Sequence, residues 1–375
     1  MKCEWLSNEF NCGVFHGPFF IENGNEYVSD LGNRLSCLEK RAEKAGASEI
    51  YLKVIQNCRH TIMDSLDCYF KADLVGANQL IEGLIQGLMT EKYAVDEIDR
   101  SWAFPGERGT EVQFFRGRKG GMDSDYCKDD FLPLRQSDRL KSGNSRFSIP
   151  GNPSYYLANT SYGCWIELGF PAEHEFSVAP VELDGKLKIL NLAVSAQDFS
   201  LLEDSEENLV KCWLQLFMLM IATSYRVKNS GEFIKPEYII SQEIMMACNK
   251  LGLDGVAYYS KRVSNESFAF CAINLALFIR YDGGDRSGLS DRMKIDEPLC
   301  YALFKQLNQS LKYKEYDLRS VRHPFFTNMG TSVRNFPYLE TDFYSFDRYL
   351  FSTWKDRPNG KGKNDVPWGV TGITR

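Results

Sequence analysis

The sequence predicts an α+β protein with a helical N-terminal domain, and three observations carry that prediction. Between Val28 and Lys92 apolar residues recur three and four apart, the spacing of one helix face. Beyond residue 105, short runs rich in aromatic and β-branched residues alternate with turn-rich loops and longer helical stretches. Between the two lies SWAFPGERGTE, where Pro105, Gly106 and Gly109 break the periodicity. The expected division is a helical domain over 1–104, a mixed domain over 105–290, and a C-terminal helix with an irregular tail packing on it over 291–375.

In chain order, SDLGNRLSCLEKRAEKAG offers Ser29 as a cap and closes on Gly46, and EIYLKVIQNCRHTIMDSLDCYF continues the helical pattern. VQFFRGR, SYYLA, LKILNLAV and FAFCAINLALFIRY read as strands, with helices near 206–223 and 237–251. EPLCYALFKQLNQSLKY reads as a helix with Pro298 in its first turn, followed by a tail rich in proline, glycine and aromatic residues. The chain shows no internal repeat.

With 375 residues, 43% hydrophobic and 25% charged, the chain can bury a sizeable core. A net charge of −6 gives no general attraction to phosphate backbones or anionic membranes, so neither nucleic acid nor membrane is expected as a partner. The longest apolar run, CWLQLFMLMIA from Cys212, contains Gln215 and is about half a bilayer span, which suits a buried helix. The 11 cysteines are scattered without Cys-x-x-Cys spacing and no signal peptide is read before them, so a reduced cytoplasm is expected. His16, His60, His174 and His323 lie far apart, and no metal site is expected.

Arg116 and Arg118 in FFRGRKGG and Arg146 in GNSRFSIPG stand beside glycines that let backbone approach a ligand. A guanidinium fork suits phosphate or carboxylate, although an arginine taken singly is more often a solvated loop residue or half of a surface ion pair. Tyr155 and Tyr156 should alternate faces on a strand, one entering the core and the other a cleft. Glu167, among Trp165, Ile166 and Leu168, needs a partner if buried, or lies on an exposed face. Ser260 ends an apolar run, where a strand-end capping role is the plain alternative, and Asn274 sits inside an apolar one. No Gly-x-Ser-x-Gly elbow supports a hydrolase nucleophile.

Taken together, FRGR, SGNSRFSIPGNPSYYLANTSYGCWIEL, EYIISQEIMMACNKLGLDGVAYYS and AINLALF resemble the RES domain family, named for an arginine, a glutamate and a serine. The resemblance runs over about 111–281. It departs from the family at Ser148, where an asparagine is usual, and in the helical N-terminal extension and C-terminal tail.

The resemblance implies a fold similar to ADP-ribosyltransferase toxins and an activity on NAD, which is substrate rather than cofactor. The reaction would be cleavage of the nicotinamide–ribose bond by hydrolysis or phosphorolysis in a toxin or defence role. The alternatives are ADP-ribose transfer to a protein and an inactive scaffold of the same fold. Glu167, Tyr156 and Ser260 inherit catalytic positions. Arg116 and Arg146 would hold the diphosphate, Tyr156 would face the nicotinamide end, and Ser260 would bind a phosphate or ribose oxygen. An antitoxin or other regulatory protein and a second copy of the chain are the partners to test for.

Overall fold

The computed structural model describes residues 12–90, 94–97, 113–121, 124, 126–184, 186–196, 199, 202, 205–229, 234–263, 271–309, 321–322, 333–334 and 341–355. It is a mixed α and β structure. The helical N-terminal pattern forms α1 (Tyr27–Lys44), α2 (Glu49–Phe70) and α3 (Leu74–Met89). Tyr27, Leu31, Leu35, Leu38 and Ala42 make one buried stripe on α1, and Ala77, Ile81, Ile85 and Leu88 make another on α3. Asp73 caps α3 by accepting a bond from the Gly76 amide at 2.8 Å.

The strands are β1 (Phe19–Ile21), β2 (Val95–Glu97), β3 (Gln113–Lys119), β4 (Ser154–Ala158), β5 (Phe176–Leu183), β6 (Lys188–Leu192), β7 (Tyr225–Val227), β8 (Gly255–Tyr259), β9 (Ile273–Phe278), β10 (Met293–Ile295) and β11 (Leu299–Cys300), with a further pair at Val321–Arg322 and Val333–Arg334. A nine-stranded sheet runs β10-β5-β3-β4-β9-β8-β6-β2, with β11 also on β5, while β1 pairs with β7 apart from it. In the large sheet β6 and β8 run parallel and the other pairs antiparallel.

The strands read as SYYLA and VQFFRGR form as β4 and β3. The strand β5 has no counterpart in the sequence reading, because Pro180 inside FSVAPVEL argues against a strand. The Asp296 amide bonds the Pro180 carbonyl, so the proline nitrogen faces the same side, between the ends of β10 and β11. No ladder bond is needed there, and the proline is tolerated.

The remaining helices are α4 (Ser161–Glu167), α5 (Glu207–Thr223), α6 (Ile239–Lys250), α7 (Tyr301–Gln309) and α8 (Asp342–Lys355). Helix α5 is buried nearly all round, as its apolar run requires. Among the described residues no helix is long and apolar enough to cross a membrane. The tail read as irregular carries α8, whose Tyr344, Phe346 and Leu350 are buried.

One face of the sheet is covered by two separate groups of helices. Helices α1, α2, α3, α5 and α6 share a core with Leu190, Leu192, Val256, Tyr258, Ala276 and Phe278 of β6, β8 and β9. Helices α4, α7 and α8 pack against Phe115, Ala158, Phe176 and Val178 of β3, β4 and β5. The other face carries Tyr155, Leu157, Leu275 and Leu277 under Phe131, Leu134 and Leu289.

Because the N-terminal helices bury their stripes in the same core as β6, β8 and β9, deleting residues 1–104 is expected to abolish cooperative unfolding of the rest in urea. Leu35→Ala should cost about 2–5 kcal/mol and shift one single transition. A folded remainder, or a second transition that ignores Leu35→Ala, would show two independent units.

Candidate functional site

The strands β3 and β4 meet at a single register pair, Phe115 with Ala158, and then part. Beyond that pair the Tyr156 carbonyl lacks a strand partner on this side and accepts instead from Arg116 Nη1 at 2.5 Å. The Arg116 guanidinium lies over the Tyr155 ring at 4.8 Å, and its Nε is buried without a hydrogen bond. Burial holds the Arg116 pKa below the ordinary arginine value.

A cavity of about 370 Å³ opens beside this gap, on the face between the two helical groups. Tyr156, Tyr258 and Asn274 face it from β4, β8 and β9, because the pairs Tyr258–Asn274 and Ala158–Asn274 put those side chains on one side. The tyrosine pair divides as expected: Tyr155 enters the core of the opposite face and Tyr156 lines the cavity.

Helix α4 brings Glu167 to the cavity. Two glycines let it lie close to the sheet: a Cβ on Gly117 would come within 2.8 Å of Cys164 Cβ, and one on Gly163 within 3.0 Å of Ala158 Cβ and the Cys271 carbonyl. The glycine in FRGR thus makes room for a helix as well as lining the cavity. Thr160 caps α4 through Gly163 at 2.9 Å and donates to the Cys271 carbonyl.

Glu167 is the last residue of α4, where the helix dipole disfavours negative charge. Its Oε1 accepts from Ser260 Oγ at 2.5 Å and Asn274 Nδ2 at 2.7 Å, and Arg262 Nε stands 3.8 Å from Oε2. Ser260 is buried and also accepts from the Arg262 amide at 3.2 Å. Its hydroxyl therefore holds the carboxylate in place, and Ser260 is not among the residues lining the cavity.

Arg146 is buried in the turn Ser145–Ser148, whose ends exchange backbone bonds. Its Nη1 and Nη2 donate to the Thr223 and Tyr259 carbonyls, each at 3.2 Å, and its guanidinium lies 3.9 Å from the Tyr258 ring centre. The turn is held from beneath by Tyr156, whose hydroxyl accepts from the Phe147 amide at 3.2 Å and bonds Ser148 Oγ at 2.7 Å. Ser148 Oγ in turn accepts from the Ser154 amide, so this serine has its own part in the network. Gln242 of α6 donates to Asn144 Oδ1 at 2.6 Å and to the Ser145 and Ser148 carbonyls. The Tyr156 hydroxyl is thereby spent on the Arg146 turn, leaving its ring to the cavity. Burial raises that hydroxyl's pKa to about 12, so it stays protonated across the physiological range.

Arg116, Arg146, Tyr156 and Glu167 all line the cavity, and Ser260 stands behind Glu167. Arg118, considered with them, points instead toward the Phe131 ring at 5.7 Å. Lys235, Tyr238, Tyr258, Lys261 and Arg262, none of them singled out by the sequence, also line it. Two signals were available: Ser260-Lys261-Arg262 follows directly on a strand, and Asn274 is a polar residue within an apolar one. The lining thus brings five basic side chains, Arg116, Arg146, Lys235, Lys261 and Arg262, around the single carboxylate of Glu167. In a chain of net charge −6 this concentrates positive potential in one recess, which suits an anionic ligand.

No protein-family model matches the chain. It is 28% identical over 220 residues to the "Putative toxin YopC" of Bacillus subtilis (strain 168), an overlap that covers 53% of this chain. The chain spans about half the length of that relative, 48%. Among solved structures it is similar to a chain of the M. tuberculosis MbcT–MbcA toxin–antitoxin complex, with 16% identity and a TM-score of 0.31, covering 61% of this chain and 98% of that one. At that score the overlap is too loose to assign the fold.

Tyr156→Phe removes the acceptor of the Phe147 amide and the partner of Ser148. The variant is expected to lose about 1–3 kcal/mol of stability in urea unfolding. A midpoint unchanged from the parent would mean that the hydroxyl does not hold the turn.

Proposed function

We propose that the chain is a toxin-type or defence-type enzyme that cleaves the nicotinamide–ribose bond of NAD. The observation that carries this reading is a carboxylate, Glu167, fixed by two donors in a recess where it is the single acidic side chain among five basic ones. The likeness to a relative itself named as a toxin, and the resemblance of the Arg146, Tyr156, Glu167 and Ser260 segments to the RES domain family, support the same reading.

In this reading the guanidinium groups of Arg146 and Arg116 face the diphosphate of NAD, Arg146 keeping N–H groups beyond the two spent on carbonyls. The ring of Tyr156 packs against the nicotinamide end. The bond between ribose C1′ and the ring nitrogen breaks with both electrons passing to the nitrogen, so the cationic ring leaves as neutral nicotinamide. Positive charge develops on the ribose, and Glu167 stabilises it or orients a ribose hydroxyl. Ser260 and Asn274 are positioning residues in this scheme: each donates to Oε1, so that Oε2, with Arg262 Nε 3.8 Å away, is the oxygen turned to the substrate. Water, phosphate or a protein nucleophile then takes the ribosyl cation. Nicotinamide release is common to all three.

Incubation of the full chain with NAD, with and without phosphate, should release nicotinamide, identified with the companion product by mass spectrometry. Intact NAD under both conditions would overturn the reading. Glu167→Gln should lower the rate on the order of a hundredfold or more while leaving ADP-ribose affinity within about twofold, since it removes charge but not size. Equal loss of binding would place Glu167 in ground-state recognition. Arg146→Lys keeps the charge and loses the planar fork, and should weaken ADP-ribose binding roughly ten- to a hundredfold by calorimetry. Unchanged affinity would remove Arg146 from the site.

A further inference from the structure

The basic residues of the cavity are not equivalent. Arg146 is stacked on Tyr258 and bonded to two carbonyls. Lys235 and Lys261 both approach the Tyr238 ring, with Nζ at 4.9 and 4.4 Å from its centre. Lys261 Nζ donates to the Tyr225 carbonyl at 2.7 Å, which leaves further N–H donors unassigned. Among the described residues neither lysine has a carboxylate within ion-pair distance. Glu237, buried on the Pro236–Tyr238 turn, and Glu167 act on Lys261 only through space, while Arg146 and Lys235 oppose its charge. Three basic side chains thus share one wall of the recess with, among the described residues, no carboxylate in contact, an arrangement in which full charge costs electrostatic energy until an anion enters.

We propose that Lys261, with Lys235 and Arg146 beside it, forms a phosphate subsite that becomes fully charged on occupancy, the Lys261 amine taking up a proton from solvent as a phosphate-bearing nucleotide binds. The inference rests on the cavity being the nucleotide site, and it adds which residues sense the anion. Burial first, and then the Arg146 charge, lower the Lys261 pKa to about 7, so near neutrality the empty site holds this amine partly neutral. An anion in contact favours the ammonium and raises that pKa. The sign follows from linkage: affinity is fully expressed below about pH 7 and declines as pH rises through the empty-site value, by up to about tenfold per unit, until the bound-state value is passed. Glu167 and Glu237 favour the charged amine in both states and so narrow the change without reversing it.

Calorimetric titration of the full chain tests this with two probes, ADP-ribose and sulfate, a phosphate analogue that does not titrate in this range. Each is measured at pH 7.5 in buffers of different ionisation enthalpy, and again from pH 6 to 9. The expected result is a fractional proton taken up on binding and a Kd that weakens above pH 7. Lys261→Arg, charged throughout, should bind without proton uptake and with a flat pH profile, and Lys261→Met should show no uptake and weaker binding at pH 6. Either variant suffices if the other fails to fold. Uptake that persists in the folded variants, or wild-type binding of both probes without uptake, overturns the proposal. Sulfate binding with Lys261-dependent uptake but no binding of ADP-ribose would uphold the anion subsite while removing the NAD reading. ADP-ribose binding without such uptake would do the reverse, and no binding of either probe would remove both.

Discussion

A carboxylate at the C-terminal end of a short helix is a misplaced charge, and the site is arranged around holding it there. Glu167 closes α4 where the helix carbonyls already concentrate negative potential, a conflict worth about 0.3–1 kcal/mol for an exposed group. The bonds from Ser260 and Asn274 offset it, and neither donor could reach Glu167 if α4 stood further from the sheet. Gly117 and Gly163 permit that approach, and the parting of β3 from β4 leaves the recess into which the carboxylate looks.

Segments distant in sequence converge on this arrangement. The buried carboxylate of Asp347, on α8, accepts the Ser161 amide at the start of α4, where negative charge is favoured. On the other side of the cavity, Tyr27 of α1 donates to the Ala222 carbonyl at 2.7 Å, next to the Thr223 carbonyl that receives Arg146. Tyr225, whose carbonyl receives Lys261, also bonds Asp30 of α1 through its hydroxyl. The N-terminal helices therefore support the wall that carries Arg146 and Lys261, and the C-terminal helix supports the element that carries Glu167.

Much of the framework was legible in the residues themselves. The stripes of α1 and α3, the long apolar run of α5 and the alternation of Tyr155 and Tyr156 follow from helix and strand patterning alone. What periodicity could not convey was partnership. The hydroxyls of Tyr156 and Ser260 are of a type that can meet a ligand or the protein, and only the fold shows that one ties the Arg146 turn and the other ties Glu167. Lys235, Lys261 and Arg262 read as ordinary loop cations until the turn after β8 and the loop before α6 bring them to one recess. Strand β5 was hidden by Pro180, whose tolerance depends on where β10 ends and β11 begins. Asn274 was visible as a polar residue within an apolar strand, and its reason lies across the sheet in Glu167.

The central claim, that two donors fix Glu167 for bond cleavage, is tested most directly by a double-mutant cycle on single-turnover nicotinamide release, with Ser260→Ala, Asn274→Ala and the pair. Both donors serve one oxygen, so the account predicts that each single change slows release, that the two effects are not additive, and that ADP-ribose affinity changes little in any variant. A double variant that releases nicotinamide at the parent rate would contradict it.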